Sequence, residues 1–277
     1  MIEDIILEQD KRGMRELREA LPLNFCERAA EFVYDHLGTV IIVTGFYVSG
    51  FCETDGPVGS IILGEALLKL NSDISIITDE YCYHVLKKVK VPFDIFKFPI
   101  AGERESEKAC EDLISAIDPS LLISVERCGR AADNRYYNMR GEDISLYTGK
   151  LDLLFDLFSH TVGIGDGGNE IGMGNVYDAA RKAVMHGEVI ASIVRTTHLI
   201  VSTVSNWGVY GLLGYLSRIT GENLLKKEDT VLQKVIHAGA IDSSSKKRVL
   251  AVDGFSLQET NAVIERVMPD PSINPRI

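Results

Sequence analysis

The sequence predicts an α/β protein with an open, doubly wound, mostly parallel sheet flanked by helices. Three observations carry that expectation. Short apolar runs rich in β-branched residues recur along the chain, beginning with TVIIVTG at 39–45, as strands buried on both faces require. Stretches with apolar residues at helical spacing separate these runs, and strand alternating with helix at this pace implies parallel strands joined by crossover helices. Polar, glycine-containing loops follow several runs, where an open α/β sheet keeps its ligand-binding groups.

Taken in order, residues 14–36 place Leu17, Leu21, Phe25, Ala29, Phe32 and Val33 on one side of an amphipathic helix. The strand at 39–45 follows, then a loop over 46–59 and a helix beginning near Gly59 (GSIILGEALLKL). Further strands are expected at 73–78, 93–98, 121–125, 160–164, 198–204 and 249–252. Helices are expected at 80–88, 103–117, 151–158, 176–186, 209–219, 231–238 and 256–267. Asp118-Pro119 closes the 103–117 helix, because the residue before proline avoids the helical region. Ser256 and Glu259 have capping-box spacing at the last helix. The sum is a Rossmann-like, three-layer architecture. No linker, low-complexity run or internal repeat interrupts it, so residues 1–277 read as a single domain with the 14–36 helix packed on it.

Composition sets limits on function. With 45% hydrophobic and 25% charged residues the chain is ordinary for a globular protein. Its net charge of −11 argues against nucleic acid, whose phosphates select a basic face, while leaving small anions to local arginines. The N-terminus, MIEDIILEQDKRGMRE, lacks the basic-then-apolar plan of a signal peptide. The most apolar later stretch, 199–216, is interrupted by Ser202, Thr203, Ser205, Asn206 and Trp207 and reads as core, not as a membrane span. Five cysteines (Cys26, Cys52, Cys82, Cys110, Cys128) without a C-x-x-C pair are expected as free thiols in a reducing cytoplasm. A homo-oligomer stays open.

Four polar loops follow strands and should meet on one rim of the sheet: ETDGP (53–57), ERCGRAADNRYYNMRG (126–141), GDGGNE (165–170) and SNWG (205–208). The third lies in HTVGIGDGGNEIGMGNV (160–176), where six of seventeen residues are glycine. Gly163, Gly165 and Gly168 satisfy G-x-G-x-x-G, with Glu188 at the spacing of a dinucleotide fingerprint. Asp166 and Glu170 oppose that reading, since without a bridging cation they repel a pyrophosphate. With Glu53, Asp55 and Asn169 they suit a hard divalent cation or an ammonium group instead. One Asp-Gly pair alone merely fixes a turn. Two pairs after two parallel strands, each with a glutamate nearby, point to a site.

The 126–141 loop gathers Arg127, Arg130, Arg135 and Arg140 around Asp133, Tyr136, Tyr137 and Asn138. Arginine forks bind carboxylates in bidentate fashion, which makes this an anion-receptor candidate. The alternative is a surface loop whose arginines pair with neighbouring acids. His84, His160, His186, His198 and His237 lack metal spacing, Cys128 has no base placed beside it, and Trp207 reads as core or a pocket wall.

Taken together, ETDGPVG, ERCGRAADNRYYNMRG, GIGDGGNEIGMGNV and SNWG, in this order, resemble the D-glutamate cyclase-like domain family over most of the chain. The segment GIGDGGNEIGMG is the most specific of them. The resemblance implies a hydro-lyase acting on a small amino acid, dehydrating D-glutamate to 5-oxo-D-proline. It also implies a divalent metal, manganese first and magnesium second. For that chemistry Asp166, Glu170 and Asp133 are the expected catalytic groups, and Glu53, Asp55 and Asp166 the expected metal ligands. Arg127, Arg130, Tyr137, Asn138, Asn169 and Asn206 are the expected substrate contacts, with the two arginines clamping carboxylates and Asp133 taking the ammonium. Two departures stand out. The domain is expected to stand alone here, whereas in the best-known members it is the C-terminal part of a longer mitochondrial protein. Ala132-Asp133-Asn134 replaces the usual Ala-Asp-Gly, a mild change because Asn tolerates the left-handed backbone. The rival expectations are a metal-dependent enzyme acting on another small amino acid or amide, a nucleotide-binding module, and a non-catalytic interaction domain.

Overall fold

The computed structural model describes residues 1–268. Six parallel strands form its main sheet: β1 (Thr39–Thr44), β2 (Asp73–Thr78), β3 (Asp94–Lys97), β4 (Leu121–Val125), β5 (Thr161–Gly165) and β6 (His198–Val201). Their spatial order is β3-β2-β1-β4-β5-β6. The chain changes direction across the sheet between β1 and β4, and such a switch point opens a crevice outside the carboxyl ends of the strands. Thr44 pairs with Val125, and Val125 with Ile164, so the loops after β1, β4 and β5 start at one level.

The continuous apolar runs are explained by burial on both faces. Val40 and Ile42 join a core with Ile61, Leu67, Trp207 and Leu212, contributed by the helices Pro57–Lys69 and Ser205–Thr220. Ile41, Val43 and Leu122 point the other way, onto Cys110, Leu151, Leu154 and Phe155. Period-two alternation between two helical layers is what makes the architecture three-layered. The capping box of the last helix, Leu257–Val267, is present: Ser256 N–H donates to Glu259 Oε2 at 2.8 Å, and Glu259 N–H to Ser256 Oγ at 3.3 Å.

Several boundaries differ from expectation. The 14–36 helix is two helices, Met14–Arg18 and Phe25–Asp35. Pro22 lies between them and cannot donate to a helical ladder. Strand 198–204 ends at Val201, and the following helix starts at Ser205, four residues before the apolar pattern shows it. The 249–252 strand is no part of the sheet: Ala251–Val252 pairs antiparallel with Phe255–Ser256. Residues 46–59 contain a hairpin, Tyr47–Val48 with Phe51–Cys52, and the next helix begins at Pro57, whose fixed φ suits a first turn. The 176–186 helix is a 3-10 turn (Met173–Val176) followed by Tyr177–Ala183, and 151–158 shortens to Leu153–Leu157.

The expectation of five free thiols is also corrected. Cys52 and Cys82 form a disulfide tying the loop after β1 to the helix Glu80–Val89, while Cys26, Cys110 and Cys128 are free and buried. Among the described residues no helix is long and apolar enough to cross a membrane. Of the single-domain expectation, residues 269–277 lie outside the described residues.

Candidate active site

The loops after β1, β4 and β5 meet at the switch point because they are stitched together. Gly129 N–H donates to the Asn169 carbonyl at 3.0 Å and Ile171 N–H to the Arg127 carbonyl at 2.9 Å, zipping the 126–131 segment onto 169–171. Glycines make the fit. A Cβ on Gly163 would lie 2.5 Å from the Ile171 carbonyl oxygen, and one on Gly165 would lie 2.7 Å from the Met173 methyl. The G-x-G-x-x-G letters therefore serve the loop's own close packing.

Two acidic sets result. Glu126, directly after β4, Asp166, directly after β5, and Glu170 bring carboxylate oxygens within 4.8 Å of one another. Asp55, Asp166 and Asp253 form a second such set. All five, with Glu53, are buried or nearly so. Glu126 (φ +46°) and Asp253 (φ +52°) hold left-handed backbone conformations that non-glycine residues adopt at a cost, of the kind concentrated at functional sites.

One cation answers these charges. Arg12, from the segment between the helices Ile2–Ile6 and Met14–Arg18, donates through Nη1 to Asp166 and lies 2.8 Å from Asp253 Oδ2. Ser205 Oγ donates to Glu126 Oε2 at 2.5 Å. Asp55 accepts from the N–H groups of Ser205 (2.9 Å) and Asn206 (2.8 Å), at the start of the helix Ser205–Thr220, and from Gly56 N–H at 3.0 Å. Three acceptors remain buried without a partner: Asp166 Oδ2, Asn169 Oδ1 and Glu170 Oε2, all from one five-residue stretch.

Burial and mutual repulsion govern titration. Burial raises Asp55 to about 7, with Asp253 adding to the rise. Glu53 is raised by burial and then by Asp253 and Asp55, and Glu126 by burial and then by Glu170 and Asp55. Burial also raises Asp166, against the opposing pull of Arg12, and it raises Glu170 against the Asp166 N–H that donates to it. Asp253 goes the other way: burial opposes its ionisation, yet the Arg12 charge beside it and the Ser243 hydroxyl that donates to it hold it below the usual range. Asp55, raised to about 7, can thus exchange a proton near neutrality. The cluster's all-oxygen donors, three of them unsatisfied, fit a hard divalent ion.

A cavity of about 380 Å³ opens beside the acids, with Arg12, Glu53, Glu126, Asn169 and Asp253 on one side and Phe46, Met139 and Ile144 among its apolar walls. The expected site residues divide accordingly. Glu53, Asp55, Asp166, Asn169 and Glu170 come together; Glu53 lines the cavity but lies outside both close carboxylate sets. Asn138 lines the cavity with its side chain engaged: Oδ1 accepts from Arg140 and Glu142 N–H, and Nδ2 donates to Glu142 at 2.6 Å.

The clamp placed on Arg127 and Arg130 is corrected. Arg127 is buried and spends its guanidinium on the Gly45 and Gly149 carbonyls and on Asp79, while Arg130 pairs with Asp152 and Asp156. Asp133, expected to take the ammonium, is exposed and accepts from the Tyr137 hydroxyl at 2.6 Å, so neither residue faces the cavity. Asn206 is also redirected: its Oδ1 accepts from Gly56 and Gly59 N–H, capping the helix Pro57–Lys69. Asn134 does hold φ +63°, the conformation that glycine would otherwise supply. Trp207 is core, and Cys128 is a buried thiol pushed up by burial. Glu126, Arg12, Asp253 and Ser205 were not singled out by sequence. Glu126 obeyed the same end-of-strand rule as Asp166, and Asp253-Gly254 is a third Asp-Gly pair. Arg12 carried no signal, because nothing in spacing links it to residues 154 positions away.

The profile of the family described as D-glutamate cyclase-like, C-terminal, matches residues 2–268, and the chain belongs to that family. It is 34% identical over 206 residues to the Homo sapiens protein named D-glutamate cyclase, mitochondrial, a match covering 66% of this chain and 33% of that protein. The chain therefore spans about a third of the length of the curated relative it matches.

Proposed function

We propose that this family member is a D-glutamate cyclase-like lyase, closing D-glutamate to 5-oxo-D-proline as the amine attacks the γ-carboxylate and water departs. The observation that supports this best is the buried carboxylate cluster with its three unpartnered oxygens, opening on a cavity of about 380 Å³ suited to a small amino acid. We read residues 1–277 as one domain, supported by a shared core running from Ile2 to Val267.

A carboxylate is a poor electrophile, and its charge must be neutralised before an amine can add. A divalent cation, manganese in our reading and magnesium as its alternative, supplies that polarisation when bound. Asp166 Oδ2, Glu170 Oε2 and Asn169 Oδ1 would hold it, with Asp55, Glu126 or Asp253 close enough to complete an oxygen set. Asp55, raised to about 7, and the raised Glu126 are poised to relay the two protons that the ammonium nitrogen gives up to the γ-carboxylate oxygen, whose bond to carbon breaks as it departs as water. The walls at Phe46, Met139 and Ile144 exclude water and favour a folded substrate. Preorganised closure of this kind draws on effective molarities of about 10⁵ to 10⁸ M.

The test is incubation of the purified protein with D- and L-glutamate, with manganese or with chelator, followed by chiral quantification of 5-oxoproline. D-specific product that vanishes with chelator is expected. A folded protein that yields none from either enantiomer overturns the reading, and turnover of another small amino acid or amide under the same conditions would replace the substrate while keeping the site.

A further inference from the structure

We propose that Arg12 is the receptor for the substrate's non-reacting α-carboxylate. The assignment rests on the cyclase reading and fills the role that Arg127 and Arg130 cannot take. Among the described residues, Arg12 and Arg140 are the arginines that line the cavity, and Arg140 is exposed. Arg12 is held at one corner: Nη1 meets both Asp166 and Asp253. Its Nε and Nη2 make no hydrogen bond among the described residues, although the side chain is only 28% exposed. Those two donors form the parallel edge of the guanidinium, the edge that matches a carboxylate bidentately.

The segment presenting Arg12 is fixed, as a receptor needs. Arg12 N–H donates to Asp10 Oδ1 at 2.9 Å, and Thr203 binds the same segment through its N–H to the Ile6 carbonyl and its hydroxyl to the Glu8 carbonyl. Met14 and Leu17 are fully buried just beyond. Gly13 stands at φ +90°, where a Cβ would meet the Ala183 carbonyl oxygen at 2.9 Å, so the turn into the next helix is closely fitted. A preset donor pair loses little entropy on binding.

The geometry of an amino acid then fixes which carboxylate is held. The α-carboxylate and the ammonium share one carbon, and Arg12 and Asp166 are in contact. The carboxylate on the arginine edge puts the ammonium against the raised acids, leaving the side chain to curl back along the cavity. The product keeps the α-carboxylate, so Arg12 holds it before and after closure and takes no part in bond making.

The test separates Arg12 as receptor from Arg12 as a merely structural tie. D-2-aminobutyrate carries the amine with an α-carboxylate; 4-aminobutyrate carries the amine with only the distal carboxylate. Each is titrated by ligand-observed NMR into the parent, Arg12→Gln and Arg12→Lys, with folding followed by circular dichroism and D-glutamate turnover measured in parallel. Arg12→Gln is expected to weaken D-2-aminobutyrate by about 30- to 100-fold, the loss of a bidentate charged pair, and to leave 4-aminobutyrate within about threefold. Arg12→Lys keeps the charge without the fork and should lose about 10-fold on the first ligand alone. Equal weakening of both ligands, no weakening of either, or a parent that does not bind D-2-aminobutyrate overturns the proposal. If Arg12→Gln does not fold, the Lys variant decides by the same selectivity. A parent with Arg12-dependent binding but no turnover sinks the cyclase reading alone, whereas turnover with KM unchanged in the variants sinks the receptor alone.

Discussion

Two buried ionic regions flank the same loop, and they are built on opposite plans. On one side Arg127 bridges Asp79 and two backbone carbonyls, while Arg130 joins Asp152 and Asp156, and the Tyr136 hydroxyl donates to Asp152 at 2.6 Å. Opposite charges alternate there, and only Arg127 Nε is left without a partner among these guanidinium groups. On the other side Glu53, Asp55, Glu126, Asp166, Glu170 and Asp253 crowd around the single guanidinium of Arg12. Burying like charges together is costly unless something compensates, and two of their oxygens, Asp166 Oδ2 and Glu170 Oε2, have no partner among the described residues. The difference teaches that buried charge by itself marks architecture. Buried charge left unsatisfied, directly behind acids that line a cavity, marks a site.

The largest effect should come from Asp166→Asn. It removes a charge from the crowded side, so turnover of D-glutamate should fall by about 10³-fold or more while the melting temperature stays within a few degrees of the parent. Arg127→Met should do the reverse. Breaking a buried pair strands Asp79 and two carbonyls, at a cost of about 3–5 kcal/mol, or a fall in Tm of roughly 10 °C. The folded fraction should keep its kcat. Thermal melts and initial rates on both variants check the comparison, which breaks if Asp166→Asn unfolds the protein or if Arg127→Met loses activity without losing stability.

The fold was legible because its signals are local. β1 is an unbroken β-branched run, β2 and β4 are apolar runs each interrupted by one serine, and the helices Glu80–Val89 and Glu103–Ile117 keep a clear apolar period. The amino end of the helix Ser205–Thr220 was missed because Ser205, Asn206 and Gly208 look like loop, yet their polar atoms serve the site. The acidic half of the site could be read from residues that end strands, Asp166 above all. The arginine half was misassigned for a physical reason. A sequence shows that Arg127 and Arg130 are near acids on other loops, but not that Asp79, Asp152 and Asp156 reach them first. Arg12 and Asp253 come from opposite ends of the chain, and only tertiary packing brings them into contact.

A third buried acid sharpens the comparison from outside both regions. Glu228 is 1% exposed, accepts from the Tyr210 hydroxyl at 2.6 Å and leaves Oε1 unpartnered, but it does not line the cavity. Burial raises it from 4.5 to about 7, with Asp55 adding repulsion and the Tyr210 bond opposing. Between those values the folded protein holds a proton that the unfolded chain has released. The contribution of Glu228 to stability is therefore complete below about pH 4.5 and lost as pH rises through 7, by on the order of 3 kcal/mol. Glu228→Gln keeps the shape and cannot titrate. Other buried acids give the parent the same sign of slope, so the quantity to measure is the difference in unfolding free energy between variant and parent across pH 4.5 to 7.5. That difference should move steadily in favour of the variant as pH rises, with turnover unchanged. A flat difference would mean that Glu228 is ionised at the lower end of this range. A loss of turnover would mean that the active region extends past the cavity, and that an unsatisfied buried acid marks function even where no cavity reaches it.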